Sequence, residues 1–342
     1  MDTRYSRQEL FSGIGKEGQK RLQEKHVLVL GAGALGSASA ETLVRAGVGT
    51  LTIIDRDFVE WSNLHRQQLY TEADAEHNHP KAIAAKNRLQ SINKDTTVKA
   101  YVLDAKADNL EKLVQGADVV IDGSDNFDIR FIINDLSQKY RVPWIFGAFA
   151  GSFGMSYTFL PEKTPCLQCI LSTIPSSSMS CETSGIIAPA VQMTSAHQTT
   201  EALKILTDQE ESLRRTLLLF DVWNTQQQSI RTDKVKKTDC PSCGKERTYP
   251  YLVHEQDTRL EVLCGRNTVQ IRPPEKKEYD FNALASELKQ HGNVRKNSYI
   301  LICTLSDCRL AIFQDGRVLI HGTKEIDKAK HLYHRFIAKE KE

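Results

Sequence analysis

No stretch of this 342-residue sequence approaches the roughly 18–20 consecutive apolar residues that cross a bilayer. The longest apolar runs are short, such as residues 27–30 and 119–121. The first residues, MDTRYSRQEL, carry charges and have no apolar centre, so no secretory signal is expected. Low-complexity tracts are also missing, which argues against a mainly disordered chain. We therefore expect a globular, cytoplasmic protein without a membrane segment.

The chain also has no excess of charge of one sign. Lys and Arg number 45 against 43 Asp and Glu, a net charge of +2. Such a balance argues against a broad electrostatic surface for nucleic acid. Hydrophobic residues make up 40% and charged residues 26%, which is ordinary for a globular protein, and the length suggests two domains.

Eight cysteines stand out in a chain without a secretory signal, so a disulfide framework is not expected. Four of them form two C-x-x-C pairs, Cys166 with Cys169 and Cys240 with Cys243. Two such pairs can supply the four thiolates of a structural zinc site, and a redox pair is the alternative. A catalytic zinc is rejected because no histidine neighbours the pairs.

The other four cysteines lie outside this pattern. Cys181 stands in a Ser-rich segment, predicted as a mobile loop, where a thiol could act as a nucleophile or be incidental. The remaining three fall in or near predicted strands and are expected to be inert: Cys264, Cys303 and Cys308.

A glycine-rich turn follows the first predicted strand. Residues 31–36 read GAGALG and separate the apolar residues 26–30 from an Ala-rich helix. In this G-x-G-x-x-G pattern, Gly31, Gly33 and Gly36 let the backbone approach a phosphate, and the helix N-terminus offers N–H groups. Asp55 ends the second strand, where a carboxylate can accept hydrogen bonds from a ribose. Alone, the motif favours an NAD-dependent dehydrogenase, with a purely structural turn as a further alternative.

Several side chains that can donate hydrogen bonds follow Asp55 in the sequence. Together they suit an anion larger than the pyrophosphate of a dinucleotide. These side chains are those of Asn63, Arg66, Gln67 and Lys81, and Asp57 is a further candidate for the nucleotide. Asp125 comes directly after the apolar strand predicted at residues 117–122, on the ligand side of a parallel sheet. A carboxylate beside a phosphate chain is well placed for Mg²⁺. Taken in order along one sheet edge, these residues describe an ATP site.

The order of predicted elements indicates an α/β fold. We expect a Rossmann-like, mostly parallel sheet with flanking helices and the zinc site in residues 1–249, the ATP-binding domain. Residues 250–342 are predicted as a small α+β domain of unknown role, with a strong hairpin turn at Asp315-Gly316. The polar residues 244–257, which include Pro250, are predicted as the linker.

From Arg4 to Cys243 the residues carry the signatures of a known family. In chain order these are residues 4–8, GAGALG, 46–49, 55–57, 62–67, 80–81, 124–126, both C-x-x-C pairs and 185–189. In this combination the chain resembles the ThiF/MoeB group of adenylyltransferases, bacterial relatives of ubiquitin-activating enzymes. It departs from the group at Ala34, where a glycine is usual, and in its tail, which does not resemble a rhodanese domain.

The resemblance implies a homodimer that uses ATP and Mg²⁺ to adenylylate the C-terminal Gly-Gly tail of a ubiquitin-fold sulfur carrier. A sulfur donor, such as a cysteine desulfurase or rhodanese, then forms the thiocarboxylate. By resemblance, Asp55 holds the ribose, Asp125 holds Mg²⁺, and Arg7 reaches into the neighbouring subunit's site. The phosphates would be held by Asn63, Arg66, Gln67 and Lys81. The candidate catalytic residues are Arg7, Arg66, Lys81 and Asp125.

Several alternatives stay open. The carrier could be the molybdopterin-synthase small subunit (MoaD type) or the thiazole-forming carrier (ThiS type), and the role of Cys181 differs between these branches. An NAD(P)-dependent oxidoreductase would leave Arg66, Lys81 and Asp125 without a role. A non-catalytic scaffold that binds a ubiquitin-fold protein is the third possibility, although the intact Asp125 and Arg66 argue against it.

Overall fold

The computed structural model of the chain describes residues 4–171, 185–253, 260–262, 267–272 and 279–338. Two compact units are present. The first comprises residues 1–76 and 80–253, and the second comprises residues 77–79 and 254–342. Both contain a β-sheet with helices packed on it, as the sequence predicts.

The first unit is built on an eight-stranded sheet in the order β3-β2-β1-β4-β5-β6-β7-β8. Its strands are β1 His26–Leu30, β2 Thr50–Asp55, β3 Thr97–Val102, β4 Val119–Asp122, β5 Trp144–Ala150, β6 Phe153–Phe159, β7 Thr216–Asp221 and β8 Gln226–Arg231. The first five neighbours run parallel, and β6, β7 and β8 continue the sheet antiparallel. Strand β1 lies between β2 and β4, with Leu30 opposite both Ile54 and Asp122. The order in which strands are added to the sheet reverses between β1 and β4. Open α/β sheets bind ligands in the crevice at such a point.

Helices cover both faces of this sheet. They are α1 Ser6–Glu9, α2 Gly15–Glu24, α3 Ala34–Ala46, α4 Glu72–Glu76, α5 Lys81–Ile92, α6 Ala107–Gln115, α7 Phe127–Tyr140, α8 Leu167–Ile170 and α9 Ala188–Leu206. Alternate strand residues point to opposite cores, since Val29 packs in one apolar cluster and Leu28 in the other. The first cluster includes Leu43 of α3, and the second includes Phe131 of α7. A sheet buried on both faces explains the short, nearly continuous apolar strands of the sequence.

Helix α7 begins earlier than its apolar pattern predicts. The sequence indicates a helix over residues 130–140, whereas the structure extends it back to Phe127. The side chain of Asn126 accepts a hydrogen bond from Asp128 N at 2.8 Å and so caps the helix. Helix α7 therefore starts two residues after Asp125.

The prediction of a linker over residues 244–257 is wrong for its middle part. Residues Pro250–Leu252 form a 3₁₀ turn that belongs to the first unit. The ring of Tyr251 stacks on Phe131, with centroids 4.5 Å apart, and Leu252 packs against the same apolar cluster. Apolar burial therefore outweighs the polar composition that suggested a linker.

The second unit contains a six-stranded antiparallel sheet in the order β11-β12-β13-β14-β10-β9. Its elements are β9 Leu260–Val262, β10 Thr268–Ile271, α10 Phe281–Leu288, β11 Asn293–Lys296, β12 Ile300–Thr304, β13 Arg309–Phe313, β14 Val318–His321 and α11 Ile326–Phe336. Both helices contribute to one apolar core with the sheet, through residues such as Phe281 and Tyr333. Gly316 has φ +91° in the predicted hairpin turn between β13 and β14. The α+β character of the tail is confirmed, and the domain boundary at residue 249 stays a prediction.

Among the described residues, none of the helices combines the length and the apolar character needed to cross a membrane.

Candidate nucleotide site and cysteine cluster

The three glycines of the turn after β1 have two different functions in the structure. A Cβ atom on Gly31, whose φ is +89°, would lie 2.5 Å from Gly123 O, and one on Gly36 would lie 1.8 Å from Gly31 O. These two glycines are required by close backbone packing. A Cβ on Gly33 would meet only Gln67 Nε2, at 4.0 Å. Gly33 therefore leaves an open cradle just before the N-terminus of α3.

Asp55 links the end of β2 to this turn. Its carboxylate accepts hydrogen bonds from Ala32 N at 2.6 Å and from Asp57 N at 2.7 Å. Burial raises the pKa of Asp55, the positive charge of Lys81 lowers it, and the negative charge of Asp57 raises it again. The hydroxyl of Tyr70 donates to Ala32 O at 2.5 Å and fixes the turn from the other side. The predicted ribose ligand thus lies at the glycine turn, as its place in the sequence indicates.

Lys81 and Asp57 form a buried pair beside Asp55. Lys81 Nζ lies 3.5 Å from Asp57 Oδ2, and the exposed fractions of the two side chains are 6% and 12%. The backbone also joins them, because Lys81 N donates to Asp57 O at 2.9 Å. Lys81 is the first residue of α5 and follows Pro80, a residue suited to a helix start. The ammonium group is therefore held at the same sheet edge as the glycine turn.

A short turn presents Asn63, Arg66 and Gln67 together. Both Arg66 N and Gln67 N donate to Asn63 O, at 3.1 and 3.0 Å. Gln67 is 4% exposed, and its Oε1 atom has no hydrogen-bond partner among the described residues. A buried acceptor left unpaired costs free energy, so this oxygen is suited to a ligand hydroxyl or N–H group. The amide Nε2 of the same side chain lies 4.0 Å from the position of a Cβ on Gly33 and can donate to a phosphate oxygen in the cradle, so the two ends of the amide together fit a nucleotide.

The turn that carries Asp125 is fixed by a buried ion pair below it. Asp122, at the end of β4, accepts from Arg130 Nε at 2.8 Å and from Ser124 N at 2.9 Å. Arg130 Nη2 also donates to Ser124 O at 2.9 Å and to Gly147 O at 3.1 Å. Both charged side chains are buried, whereas Asp125 itself is exposed. The structure thus holds Asp125 at the crevice next to Gly31, because Gly123 lies against that glycine.

Among the described residues that the sequence assigns to the nucleotide site, Arg7 lies away from this group. It lies exposed in α1, and no described residue forms a hydrogen bond or ion pair with it. The neighbouring Gln8 donates to Ala46 O at 2.9 Å, which places α1 at the far end of α3. Helix α3 has 13 residues, and at 1.5 Å per residue it separates Arg7 from the glycine turn by about 20 Å.

The four cysteines of the two C-x-x-C pairs come together as predicted. All are buried, all remain free thiols, and their sulfur atoms lie within 4.8 Å of one another. The separations are 3.9 Å for Cys166–Cys169, 3.6 Å for Cys166–Cys240 and 3.5 Å for Cys169–Cys243. Tetrahedral zinc with Zn–S bonds of about 2.3 Å sets sulfur atoms about 3.8 Å apart, so the cluster fits zinc.

The four thiols shift one another's pKa values in opposite directions. Hydrogen bonding with Cys169 and burial raise the pKa of Cys166, and the pKa of Cys243 is raised to about 12. Hydrogen bonds with the Cys166 thiol and then with the Cys243 thiol lower the pKa of Cys169 to about 2, and the N–H of Lys237 acts in the same direction. Thiolates are the form that binds zinc. No histidine takes part in the cluster among the described residues, which agrees with a closed structural site. Cys181 lies outside the described residues.

Sequence reasoning missed three residues that shape the nucleotide site. The turns after β1 and β4 are supported by Asp122, Arg130 and Tyr70. None of these residues belongs to the motifs quoted above. A signal existed for Asp122, because a carboxylate that ends a wholly apolar strand needs a buried partner. Nothing in the local pattern identifies Arg130 as that partner, since it is one of several charged residues on a predicted helix.

Residues 5–242 match the model of a protein family described as the ThiF family. The chain belongs to the ThiF family. Over 338 residues it is 48% identical to the sulfur carrier protein ThiS adenylyltransferase of Bacillus subtilis, covering 98% of this chain and 100% of that protein. Over 270 residues it is 36% identical to the sulfur carrier protein adenylyltransferase of Thermus thermophilus, covering 77% and 96% of the two chains. The family predicted from the motifs is confirmed.

The fold is also similar to that of a protein of known structure. A crystal structure of E. coli MccB with MccA-N7isoASN has a TM-score of 0.62 to this chain, at 22% sequence identity. The similarity covers 71% of this chain and 76% of MccB. It supports the Rossmann-like architecture of the first unit.

Proposed function

We propose that this chain is an ATP-dependent adenylyltransferase that activates the C-terminal glycine of a ubiquitin-fold sulfur-carrier protein of the ThiS type. The observation that carries this proposal is the 48% identity to the Bacillus subtilis ThiS adenylyltransferase over practically the whole chain. That similarity includes the second unit, so it extends beyond the part common to the family. A carrier of the ThiS type would place the reaction in formation of the thiamine thiazole.

The residues at the sheet edge have complementary tasks in this reaction. Gly33 gives the triphosphate close access to the N-terminus of α3, where free N–H groups favour an anion. Asp55 accepts hydrogen bonds from the ribose hydroxyls. Asn63, Arg66, Gln67 and Lys81 bind phosphate oxygens, and Asp125 is the ligand for the Mg²⁺ that accompanies ATP.

In the reaction, a carboxylate oxygen of the carrier's C-terminal glycine attacks the α-phosphorus of ATP. A P–O bond forms, the bond to the β-phosphate bridging oxygen breaks, and pyrophosphate leaves with the electron pair. The product is an acyl-adenylate. The protein contributes positioning and charge neutralisation, and Lys81 and Arg66 are the cations proposed to neutralise the charge that develops on the phosphates. Magnesium supplies further neutralisation when bound, and Asp125 is the residue that would hold it.

The cysteine cluster is proposed to hold structural zinc. Its four buried sulfurs leave no open position for a substrate, and the two pairs come from chain segments about 70 residues apart, as the positions 169 and 240 show. A zinc ion that joins two such segments stabilises the folded chain. A later thiocarboxylate-forming step needs a sulfur donor, which we propose to be a separate cysteine desulfurase or rhodanese.

The test of this function is carrier-dependent exchange of pyrophosphate into ATP. Purified ThiS-type and MoaD-type carriers are each mixed with the protein, ATP, Mg²⁺ and labelled pyrophosphate. We expect exchange with the ThiS-type carrier and none with a carrier that lacks its terminal glycine. Exchange with the MoaD-type carrier alone would refute the choice of carrier, and exchange with neither would refute the adenylyltransferase function.

Arg7 is proposed to act in the site of a second copy of the chain. It is exposed, forms no contact with its own nucleotide site, and lies about 20 Å from it along α3, well beyond the reach of one side chain. Exposed apolar residues Leu10 and Phe11 follow it and would be covered by a second copy. A planar guanidinium suits phosphate because it can bind two oxygens at once. A homodimer with two sites follows from this proposal.

Mixed dimers test this assignment. Dimers of Arg7→Ala and dimers of Asp125→Ala are each expected to be nearly inactive in pyrophosphate exchange. After subunits are mixed, one site of each heterodimer carries both lesions and the other is intact, so about a quarter of wild-type activity should return at equal mixing. An Arg7→Lys variant keeps the positive charge and removes only the planar, two-pronged guanidinium, so it separates the contribution of charge from that of geometry. A mixture as inactive as its parents means that Arg7 does not act in the second subunit.

Gly33→Ala is expected to raise the KM for ATP at least tenfold while the melting temperature changes little. The added methyl group meets no atom of the protein closer than 4.0 Å, so folding is not obstructed, but it occupies the cradle proposed for the triphosphate. Gly36→Ala is the matched contrast, since its Cβ would lie 1.8 Å from Gly31 O and the turn must deform. Thermal unfolding and steady-state kinetics check both variants. Unchanged ATP dependence in Gly33→Ala would exclude the cradle as the phosphate site.

A further inference from the structure

Helix α7 contacts the Asp125 turn at its start. The helix begins at Phe127, two residues after Asp125, and Asn126 caps it. One turn further along, Arg130 donates to Ser124 O and to the buried carboxylate of Asp122. The position of Asp125 is therefore fixed by the position of the first turn and a half of this helix.

The second half of the same helix contacts both cysteine pairs. Asn134 and Asp135 are both 0% exposed. Asn134 Oδ1 accepts from the backbone N–H of Leu167, inside the first pair, at 2.8 Å. The hydroxyl of Ser242, inside the second pair, lies 2.5 Å from Asp135 Oδ1 and 2.5 Å from Gln168 Oε1 of the first pair, and its one hydrogen is shared between these two acceptors. Two adjacent side chains of one helix thus join the two halves of the cluster.

Loss of these contacts would cost free energy, because the groups that form them are buried. The other oxygen of Asp135 accepts from Tyr251 N at 2.9 Å, so each carboxylate oxygen has a close donor in the cysteine region or in the chain that follows it, and Oδ1 also accepts from Asn134 Nδ2 at 3.3 Å. A buried carboxylate that loses its donors carries a large desolvation cost. If the cluster loosens, Asp135 must find new partners or move, and α7 must move with it.

The helix is short and packed on both sides of these contacts. Asp125 and Asp135 are ten residues apart, about 15 Å at the helical rise of 1.5 Å per residue. Phe131 and Leu136 are both 1% exposed in the apolar core, so the helix moves as a unit rather than bending locally. A shift at one end is therefore transmitted to the other.

We propose that Asn134 and Asp135 are positioning residues through which metal in the cysteine cluster sets the position of the Asp125 turn. This inference rests on the proposed function, in which Asp125 receives the magnesium that accompanies ATP. Coupling between two sites is reciprocal in binding free energy. Binding of Mg·ATP at the turn should therefore tighten retention of zinc at the cluster.

The first experiment measures zinc release from the full-length, zinc-loaded protein to a chromophoric chelator. We expect release to be at least fivefold slower with Mg·ATP than without nucleotide. In Ser242→Ala, which keeps all four cysteines, the effect of Mg·ATP should fall below twofold although ATP still binds. Equal release rates with and without Mg·ATP in the wild type would overturn the inference. So would an undiminished Mg·ATP effect in Ser242→Ala.

The second experiment measures how pyrophosphate exchange depends on Mg²⁺. In Ser242→Ala and in Asp135→Asn, each shown by elemental analysis to retain zinc, we expect half-maximal exchange to need about tenfold more Mg²⁺. Ser242→Thr keeps the hydroxyl and should restore the wild-type requirement. Lys139→Ala is the control on the same helix, since its side chain is 40% exposed and pairs with Glu111 at the surface. A normal Mg²⁺ requirement in the zinc-loaded variants contradicts the inference.

The two proposals fail in different ways. Absence of exchange in the wild type with every carrier refutes the adenylyltransferase function. Normal exchange combined with zinc release that ignores Mg·ATP refutes only the coupling through α7. If a Ser242 or Asp135 variant does not fold, the comparison of wild-type zinc release with and without Mg·ATP decides the inference by itself.

Discussion

Asp125→Asn is expected to lower carrier-dependent pyrophosphate exchange by about two orders of magnitude or more. The turn that holds residue 125 is fixed from below by Asp122 and Arg130, whose hydrogen bonds to each other and to Ser124 do not involve residue 125. These bonds remain in the variant, so the fold should survive, and the negative charge at this exposed position is lost. A factor of 10² in rate corresponds to about 2.7 kcal/mol of barrier, which is typical of a lost electrostatic contact to the transition state.

The matched control for Asp125 is Asp128→Asn. Asp128 is an exposed carboxylate three residues further along, and its backbone N–H, rather than its side chain, makes the capping contact. We expect its exchange rate to stay within a factor of two of the wild type. Both variants are compared by exchange rate at several Mg²⁺ concentrations and by melting temperature. Near-normal exchange in Asp125→Asn would remove this residue from the mechanism.

Cys169→Ser is expected to release zinc and to lower the melting temperature by more than ten degrees. The four sulfurs join residues 166–169 to residues 240–243, and Asp135 on α7 depends on that arrangement. Structural zinc sites contribute on the order of 10 kcal/mol in model systems, although the apolar cores of this chain would retain part of the fold. Elemental analysis and thermal unfolding measure the two effects in the same sample.

Cys308→Ser separates loss of zinc from loss of any buried thiol. Cys308 lies in the second unit, is also buried, and stands outside the four-sulfur cluster. The Cys308→Ser variant should keep one zinc per chain, and its melting temperature should lie within a few degrees of that of the wild type. A zinc-free wild-type protein that is fully active would contradict the structural role of the cluster.

The architecture was largely predictable because the apolar pattern is regular. Short apolar strands separated by amphipathic segments indicate a parallel sheet covered on both faces, and the structure has five parallel strands in that arrangement. Element ends were less predictable, since side chains outside the pattern decide them. Asn126 adds three residues to the start of α7 relative to the predicted helix, because its side chain caps an N–H group.

The C-terminal third of the sequence shows the same contrast. The hairpin at Asp315-Gly316 follows from turn chemistry and was predictable from two residues. The packing of Tyr251 on Phe131 was not, because these residues are 120 positions apart and the segment around Tyr251 is polar. Long-range apolar contacts of this kind leave no local signal in a single sequence.

In the candidate site too, some residues could be located from the local sequence pattern and others could not. Gly31, Asp55 and Lys81 stand at strand or helix ends that the pattern already locates, and the structure brings them together. The supporting residues were not found, because burial of a charge depends on a distant partner. Arg130 illustrates this, since its guanidinium contacts the end of β4, the middle of β5 and the rings of Phe127 and Phe146.

The buried pair of Asp122 and Arg130 also limits how this sequence can diverge. Removal of either partner alone leaves an uncompensated charge in the core, at a cost of about 3–5 kcal/mol, whereas joint replacement by apolar residues can be nearly neutral. Single substitutions at either position would therefore be eliminated by selection for a folded chain. The two positions can drift only together, and any descendant that has lost both must hold its 123–125 turn by some other means.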